Sequence, residues 1–223
     1  MEGIRADMAR AERDREPTLQ DDGDGLLDAL AAGDRTVEEA AARCAERLRE
    51  RDWDGDEQLA AALEAALGTG PVQMLRPVPA DLDALSELLE GDPSMNEGGW
   101  LDLSTGETFP KFSDHFLDEE DEEAEEERHE DRDRWRWVAC EGSSDGYEDM
   151  VLFASTRVAS ERLARDLEWA LHGRGAFRRF RDVLDRYEQF ERWRRFELER
   201  KRGRARAWLA TEGLKPAVPR PHR

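Results

Sequence analysis

Residues 172–184, which read HGRGAFRRFRDVL, constrain the fold more than any other stretch of the chain. Gly173 can end one helix and Gly175 can open a tight turn into the next, because glycine adopts left-handed backbone conformations without a steric penalty. After the turn, apolar side chains recur at the spacing of one helix face. They are Phe177, Phe180, Val183 and Leu184. The pattern predicts two helices joined at a glycine turn, the second packed into a core through these four side chains.

Arginines surround the same turn and give the sequence its candidate binding site. Backbone N–H groups left free at the helix start after Gly175 would attract an anion, and arginine side chains would add positive charge there. The candidate anion- or partner-binding residues are Arg174, Gly175, Arg178, Arg179 and Arg181. The alternative is structural: the glycines only let two helices pack, while the arginines cover an outer face and pair with neighbouring aspartates.

Charge is distributed unevenly along the chain. The net charge is −20 over 223 residues, yet residues 171–223 carry 16 Lys and Arg against 7 Asp and Glu. That C-terminal region therefore has a net charge of +9, and the rest of the chain −29. A basic region in an acidic chain is compatible with an acidic protein partner, with RNA or DNA phosphate, or with acidic segments of the same chain.

Residues 118–133 form an acidic insert in which twelve of sixteen residues are Asp or Glu. Such a block repels itself and cannot bury apolar surface, so its composition predicts a solvated loop or a highly exposed helix. Two alternatives stay open: weak binding of a divalent cation, and contact with a basic region of this chain or of a partner. Because no fixed ligand spacing is present, the sequence predicts no metal site and no cofactor.

Helical periodicity dominates the N-terminal third of the chain. Residues 1–20 lack it and are predicted to be a mobile tail, whereas residues 21–70 are predicted to form a helical extension. Thr36 and Glu39 have the spacing of a capping box, and an apolar stripe follows at Val37, Ala41, Cys44 and Leu48. The helix faces are rich in alanine and bury little area, so we expect these helices to dock on the main domain or on a partner.

Residues 71–214 are predicted to form the main α+β domain. Alternating side chains on both sides of residues 104–106 predict a β-hairpin, and residues 135–140 predict a third strand. Asp81 is predicted to cap a helix before the hairpin, and Ser160 to start a helix after the third strand. The expected fold class is therefore α+β, with a short antiparallel sheet, made of a hairpin plus one strand, covered by C-terminal helices. Residues 215–223 are expected to be a second mobile tail.

Several short motifs, in this order, resemble a bacterial family catalogued only as an uncharacterised protein family. The two most specific are WLDLSTGE, beginning at Trp100, and GRGAFRRFRDVL, beginning at Gly173. The resemblance covers about residues 81–216. It implies a small cytoplasmic bacterial protein without an assigned activity, and so it carries over no catalytic residues.

The usual signatures of catalysis are missing from the sequence. It contains no HExxH, no GxSxG, no P-loop and no strand-linked GxGxxG. Cys44 and Cys140 have neither disulfide nor zinc spacing, and His172 is better explained as a favourable imidazole at a helix C-terminus than as an acid or base. No run approaches the ~20 apolar residues of a membrane span. These observations predict a cytoplasmic protein without membrane contact.

The sequence therefore favours a non-enzymatic interaction or regulatory module. On this interpretation the arginine-bearing C-terminal helices bind an unidentified protein partner. The alternative is binding of nucleic acid, or of another phosphate anion, through the arginine-rich helices after Gly175.

Overall fold

The computed structural model describes residues 18–91, 96–112 and 119–218. They form two compact units, here called the helical unit (residues 146–199) and the mixed unit (residues 19–145 and 200–218, within the described ranges). Helices combined with a short antiparallel sheet confirm the predicted α+β class. The division between the units lies elsewhere than the predicted domain boundary near residue 70, since the N-terminal helices and the sheet belong to one unit. The predicted tail over residues 1–20 lies almost wholly outside the described residues.

Three helices begin the mixed unit, where the helical extension is predicted. They are α1 (Leu19–Ala31), α2 (Glu38–Arg51) and α3 (Asp56–Leu67), with a 3-10 turn at Arg35–Val37 before α2. The predicted stripe is confirmed at Ala41, Cys44 and Leu48, all buried against leucines of α1 and α3. The predicted capping box of Thr36 and Glu39 is wrong, however. Asp34 accepts the hydrogen bond from the Thr36 N–H at 2.9 Å, because the 3-10 turn begins the helical segment earlier than the box assumes.

The predicted hairpin and third strand are confirmed. The strands are β2 (Asn96–Asp102), β3 (Thr108–Phe112) and β4 (Trp135–Ala139), in the antiparallel order β3-β2-β4. Gly106 closes the hairpin with φ +81°, and a Cβ there would lie 1.8 Å from the carbonyl oxygen of Pro79. Only glycine fits this turn, because both the backbone angle and the space exclude a side chain.

Two helices cover the sheet and complete the core of the mixed unit. They are α4 (Leu82–Leu89), which begins after Asp81 as its predicted N-cap, and the end of the last helix, α9 (Phe190–Thr211). Their leucines meet the sheet in one buried cluster, which includes Leu85, Leu88, Leu101, Val138, Ala205 and Leu209. The end of α9 thus shares one buried core with α4 and the sheet.

A parallel pair of short strands was not predicted. β1 (Arg76–Val78) pairs with β5 (Leu214–Pro216), and residues 217 and 218 continue beyond it. Lys215 and Pro216, the first two residues of the stretch expected to be a tail, have their backbone in this ladder. Three-residue strands that each contain proline show no alternation, so the sequence pattern carries no signal for them.

The helical unit is built from α6 (Ser144–Thr156) after its first residues, α7 (Glu161–Ala170), α8 (Ala176–Arg186) and the first half of α9. Ser160 caps α7 as predicted. Its core is aromatic, with the rings of Phe153, Phe180 and Trp193 in edge contacts at centroid distances of 5.0–6.5 Å. Phe180 is buried as predicted, but Phe177 is 50% exposed, so that part of the prediction is wrong.

The acidic insert contains a helix, α5 (Glu119–Glu130), one of the two forms its composition predicted. Glu125 holds its second half to the sheet by accepting a hydrogen bond from Trp100 Nε1 at 3.1 Å, and it also accepts one from Arg128 of the same helix at 3.0 Å. His129 packs edge-on against Trp100 at 4.7 Å between ring centroids. In the described part of the insert, Glu125 and His129 therefore contact Trp100 of the sheet.

Candidate binding groove

Arg179, one of the predicted site residues, is used by the fold itself. Its Nε donates to the carbonyl of Ala170 at 3.1 Å, and its two terminal nitrogens donate to the carbonyls of His172, Gly173 and Arg174. These carbonyls end α7 and form the glycine turn, where no further helix residue supplies a donor. Arg179 therefore caps α7, as a structural role for the arginines would require.

The other predicted site residues are not gathered around one ligand position. The side chains of Arg174 and Arg178 are exposed and have no polar partner among the described residues, while the Arg181 Cζ lies 6.0 Å from the ring centroid of Phe190. Gly175, at φ +78°, precedes α8 without a side-chain cap. His172 Nδ1 lies 2.8 Å from the Glu168 carbonyl oxygen, which agrees with a structural role at the helix end. A bare helix start with two exposed arginines is not by itself a built anion site.

A groove of about 640 Å³ lies within the mixed unit, and the sequence did not reveal it. Its walls are one face of α1, one face of α3, the segment leading into β1, and the end of α9 with the strand β5. The volume falls within the range of ordinary ligand pockets, roughly 300–1,000 Å³. The groove is thus large enough to hold a small ligand or a few side chains of a partner.

One buried polar network fixes the wall formed by α1 and α9. Asp56 is fully buried and accepts hydrogen bonds from Gln20 Nε2 at 2.9 Å, from both Arg51 donors at 2.7–2.8 Å and from the Trp53 N–H at 3.0 Å. The Gln20 amide oxygen in turn accepts from Arg206 Nε at 2.9 Å. Because every member is satisfied, the network holds α1, α3 and α9 in one arrangement.

The cations that line the groove are all engaged by the protein. Arg206 donates to both carboxylate oxygens of Asp24 at 2.7 and 2.8 Å. Arg202 donates two hydrogen bonds to Asp83, and these two bonds lower the pKa of Asp83 below its usual range. Arg202 also donates to Asp21. The third cation, Lys215, donates to the backbone carbonyl of Gln73 at 3.2 Å. No groove cation is left free to attract an anionic ligand.

Asp28 differs from the other carboxylates of the groove. It lies one turn beyond Asp24 on α1, and within the described residues it has no basic partner. Partial burial raises the pKa of Asp28 above its usual range, and the negative charge of Asp24 raises it further. Both effects would be relieved by a positive charge placed beside Asp28. Among the described residues, no side chain or backbone N–H donates to the Asp28 carboxylate, whereas Asp81, which also lacks a basic partner, is bound by the N–H groups of Asp83 and Ala84.

Small apolar side chains form most of the remaining surface. Alanines recur along the α3 wall at Ala62, Ala65 and Ala66, and Leu75 and Leu214 lie among the groove residues contributed by the strand segments. Ala31 and Ala66 are exposed, so the wall is open to solvent there. A smooth alanine-lined wall leaves room for side chains from a ligand. The alanine-rich helix faces, expected to dock on the domain or on a partner, thus border an open groove.

The basic residues near the end of α9 account for part of the charge asymmetry of the chain. Five successive basic positions each pair with an acidic residue of the mixed unit. The pairs are Arg200–Asp54, Lys201–Glu90, Arg202–Asp83, Arg204–Glu90 and Arg206–Asp24. These acids lie outside residues 118–133, so these five contacts are made by carboxylates other than those of the acidic insert.

Sequence reasoning missed the groove, although part of it has a sequence signal. Asp21, Asp24 and Asp28 recur at i, i+3 and i+7 and share one face of α1. Such a line of carboxylates beside the apolar stripe could have been noticed as a charged helix face. The pairing partners on α9 are about 180 residues away, and no local pattern connects them.

Further searches of the described ranges bear on metals and membranes. In residues 18–91, 96–112 and 119–218, no group of three or more His, Cys, Asp or Glu is placed to hold a metal ion. Within the same residues, no helix combines the length and apolar character that crossing a membrane requires. Comparison of the chain with protein-family models, with curated proteins and with solved structures finds no match.

Proposed function

We propose that this protein is a non-enzymatic interaction module that holds part of a protein partner in the groove of the mixed unit. The observation that carries the proposal is a groove of about 640 Å³ with an alanine-rich wall and an unneutralised carboxylate at Asp28. Apolar concavities with a few placed polar groups are the usual form of binding sites. The sequence-based expectation of an interaction module is kept, and its site moves from the glycine turn to the groove.

The rigidity of the walls supports binding without a large rearrangement. Gln20, Asp56 and Arg206 form a continuous chain of hydrogen bonds behind the groove surface. A groove held open in the free protein loses little conformational entropy when a ligand enters. This arrangement favours recognition of a partner segment by a preformed surface.

Groove-filling substitutions test the proposal. Peptides are selected from a displayed random library on the immobilised full chain, and their affinities are measured for the wild type, Ala66→Trp and Ala42→Trp. Ala66 is exposed within the groove, whereas Ala42 is exposed on α2 outside it. We expect Ala66→Trp to weaken binding at least about ten-fold, because the indole occupies the ligand volume. Equal affinities for all three proteins would refute a groove site.

A second candidate function is phosphate-anion or single-stranded nucleic-acid binding in the helical unit. Exposed Arg174 and Arg178 lie in the same unit as Trp169, which is 72% exposed, and Phe177. Arginines combined with exposed aromatic rings suit stacking on unpaired bases. Residues 146–199 nevertheless carry equal numbers of Arg and of Asp plus Glu, eleven each, so the unit has no net positive charge to attract phosphate.

The second candidate has its own test, designed around the role of Arg179. Arg174→Glu with Arg178→Glu is compared with Arg194→Glu, a single exposed arginine on α9. Arg179 is left intact because its loss would disturb the turn. Single-stranded RNA binding at ~50 mM salt that disappears only in the double variant would support this function. Absence of binding by the wild type at that salt concentration would exclude it.

A further inference from the structure

We infer that the occupant of the groove is an amphipathic helical segment that places a lysine or arginine side chain beside Asp28. The inference rests on the proposed function, since it names the chemistry of the partner for the same groove. Two properties of the described residues lead to it: the charge balance of the groove lining and the hydrogen-bonding capacity of the adjacent strands.

The charge balance selects a cationic partner. Among the described residues, five aspartates and three basic side chains line the groove. Arg202, Arg206 and Lys215 already donate to protein acceptors, so an incoming anion would meet no available cation there. An incoming cation, in contrast, would meet the carboxylate of Asp28 next to that of Asp24. Charge complementarity of this kind determines which partners are accepted and which are repelled.

The apolar wall of the groove requires that the bound segment also present aliphatic surface. Lysine and arginine carry a hydrocarbon stem that can lie on apolar surface while the charged end reaches a carboxylate. The alanines of α3 border the groove on the side that faces such a stem, and leucines at Leu27 and Leu30 lie on α1. A segment with a basic edge next to an apolar face satisfies both walls at once.

The strands next to the groove argue against an occupant that binds by strand addition. In the parallel pair, Arg76 donates to Gly213 and Val78 accepts from Ala217, so residues 76 and 78 point their backbone groups at β5. Within the ladder, the outward backbone positions are then Pro77 on β1, and Leu214 and Pro216 on β5, so two of the three are prolines. Proline has no N–H to donate, and prolines at such positions are a known way of blocking edge pairing. Helix-in-groove binding through side chains remains compatible with these edges.

The decisive probes are three synthetic helical peptides. The first combines leucine, alanine and lysine in an amphipathic pattern, the second replaces every lysine with glutamine, and the third replaces every leucine with serine. Each is titrated by fluorescence anisotropy into the full chain at ~0.15 M salt, where long-range attraction to a protein of charge −20 is screened beyond about 8 Å. We expect only the first peptide to bind well, because both walls must be satisfied.

Reversing the charge at residue 28 tests whether the basic side chain of the bound segment lies beside Asp28. Asp28→Lys is compared with Asp22→Lys, which makes the same change in net charge on the same helix but outside the groove lining. We expect Asp28→Lys to weaken binding of the leucine–lysine peptide at least about ten-fold, and Asp22→Lys to change it less than about two-fold. Equal losses in both variants, or equally tight binding of the glutamine peptide, would overturn the inference.

Failure of the inference can be told apart from failure of the proposed function. If Ala66→Trp weakens binding of library-selected peptides while Asp28→Lys has no specific effect, the groove binds a partner but the partner is not cationic. If Ala66→Trp leaves every peptide unaffected, the groove is not the site and both ideas fall. Circular dichroism and thermal unfolding of each variant confirm that the fold is kept.

Discussion

Arg206 binds Asp24 through two hydrogen bonds of 2.7 and 2.8 Å, and so joins α9 to α1. The same guanidinium donates to the buried amide of Gln20, which leads to Asp56. Residues from the two ends of the chain thus share one network behind the groove. The network makes the groove walls part of the folded core, and its members can be tested one by one.

Asp56→Ala should destabilise the protein strongly. Arg51 is 8% exposed and donates twice to Asp56, so the substitution leaves a buried guanidinium without its counter-charge. Removing one partner of a buried ion pair costs about 3–5 kcal/mol of unfolding free energy. Urea denaturation measures the unfolding free energy. The control is Asp22→Ala, at an exposed position on α1, which should change the unfolding free energy by less than about 0.5 kcal/mol. A loss for Asp56→Ala as small as the control would show that the network contributes little.

Gly203→Ala should destabilise the protein even though it places a better helix former in α9. A Cβ at residue 203 would lie 2.2 Å from the carbonyl oxygen of Asp54, where two backbones meet. We expect a net loss of about 1–3 kcal/mol, because overpacking outweighs the gain in helix propensity. Gly25→Ala is the matched control, since a Cβ there meets nothing within 4 Å, and it should stabilise α1 by up to about 1 kcal/mol. Thermal unfolding of both variants distinguishes the two signs.

Arg179→Ala should reduce stability, whereas Arg178→Ala should not. Arg179 supplies the donors for the carbonyl groups at the end of α7, and Arg178 is exposed without a polar partner in the described residues. Several lost hydrogen bonds from a charged donor predict a loss of about 2 kcal/mol for Arg179→Ala. Chemical denaturation of the two variants provides the comparison. Equal effects would mean that the cap at the glycine turn is not important for folding.

Acid should weaken the hairpin through Asp102. Burial alone would raise the pKa of Asp102, but hydrogen bonds from Arg134, Ser104 and the Thr105 N–H lower it to about 2. A lowered folded-state pKa contributes stability that is present above the unfolded-state value near 4 and is lost as the pH falls towards 2. Asp102→Asn should therefore remove about 1–2 kcal/mol of the stability difference between pH 5 and pH 2. Urea denaturation at several pH values measures this difference. The same dependence of the unfolding free energy on pH in wild type and variant would contradict the prediction.

Local sequence patterns anticipated those parts of the fold that depend on neighbouring residues. The stripe at Ala41, Cys44 and Leu48, the caps at Asp81 and Ser160 and the hairpin at Gly106 all act within a few positions of the chain. The fold class followed from them because periodicity and turn chemistry select the elements.

Features that depend on distant residues could not be anticipated in this way. The β1–β5 pair and the contact of Arg206 with Asp24 join segments more than 130 residues apart, and no local spacing encodes them. Phe177 was assigned to the core by periodicity, yet the helix turns it to solvent, since only tertiary packing decides which edge of an apolar stripe is covered. The sequence shows that arginines lie around the glycine turn, but it does not show what they bind. Only the structure shows that Arg179 donates to backbone carbonyls at the end of α7.

Methyl NMR of alanine-labelled protein shows whether the peptide binds in the groove. On addition of the leucine–lysine peptide, we expect chemical-shift changes at the methyls of Ala31, Ala62, Ala65 and Ala66 in the groove. The methyls of Ala42 on α2 and Ala164 on α7 should stay unchanged, because neither lies in the groove lining. Shifts confined to Ala164 and other alanines of the helical unit, with the groove methyls unperturbed, would contradict it.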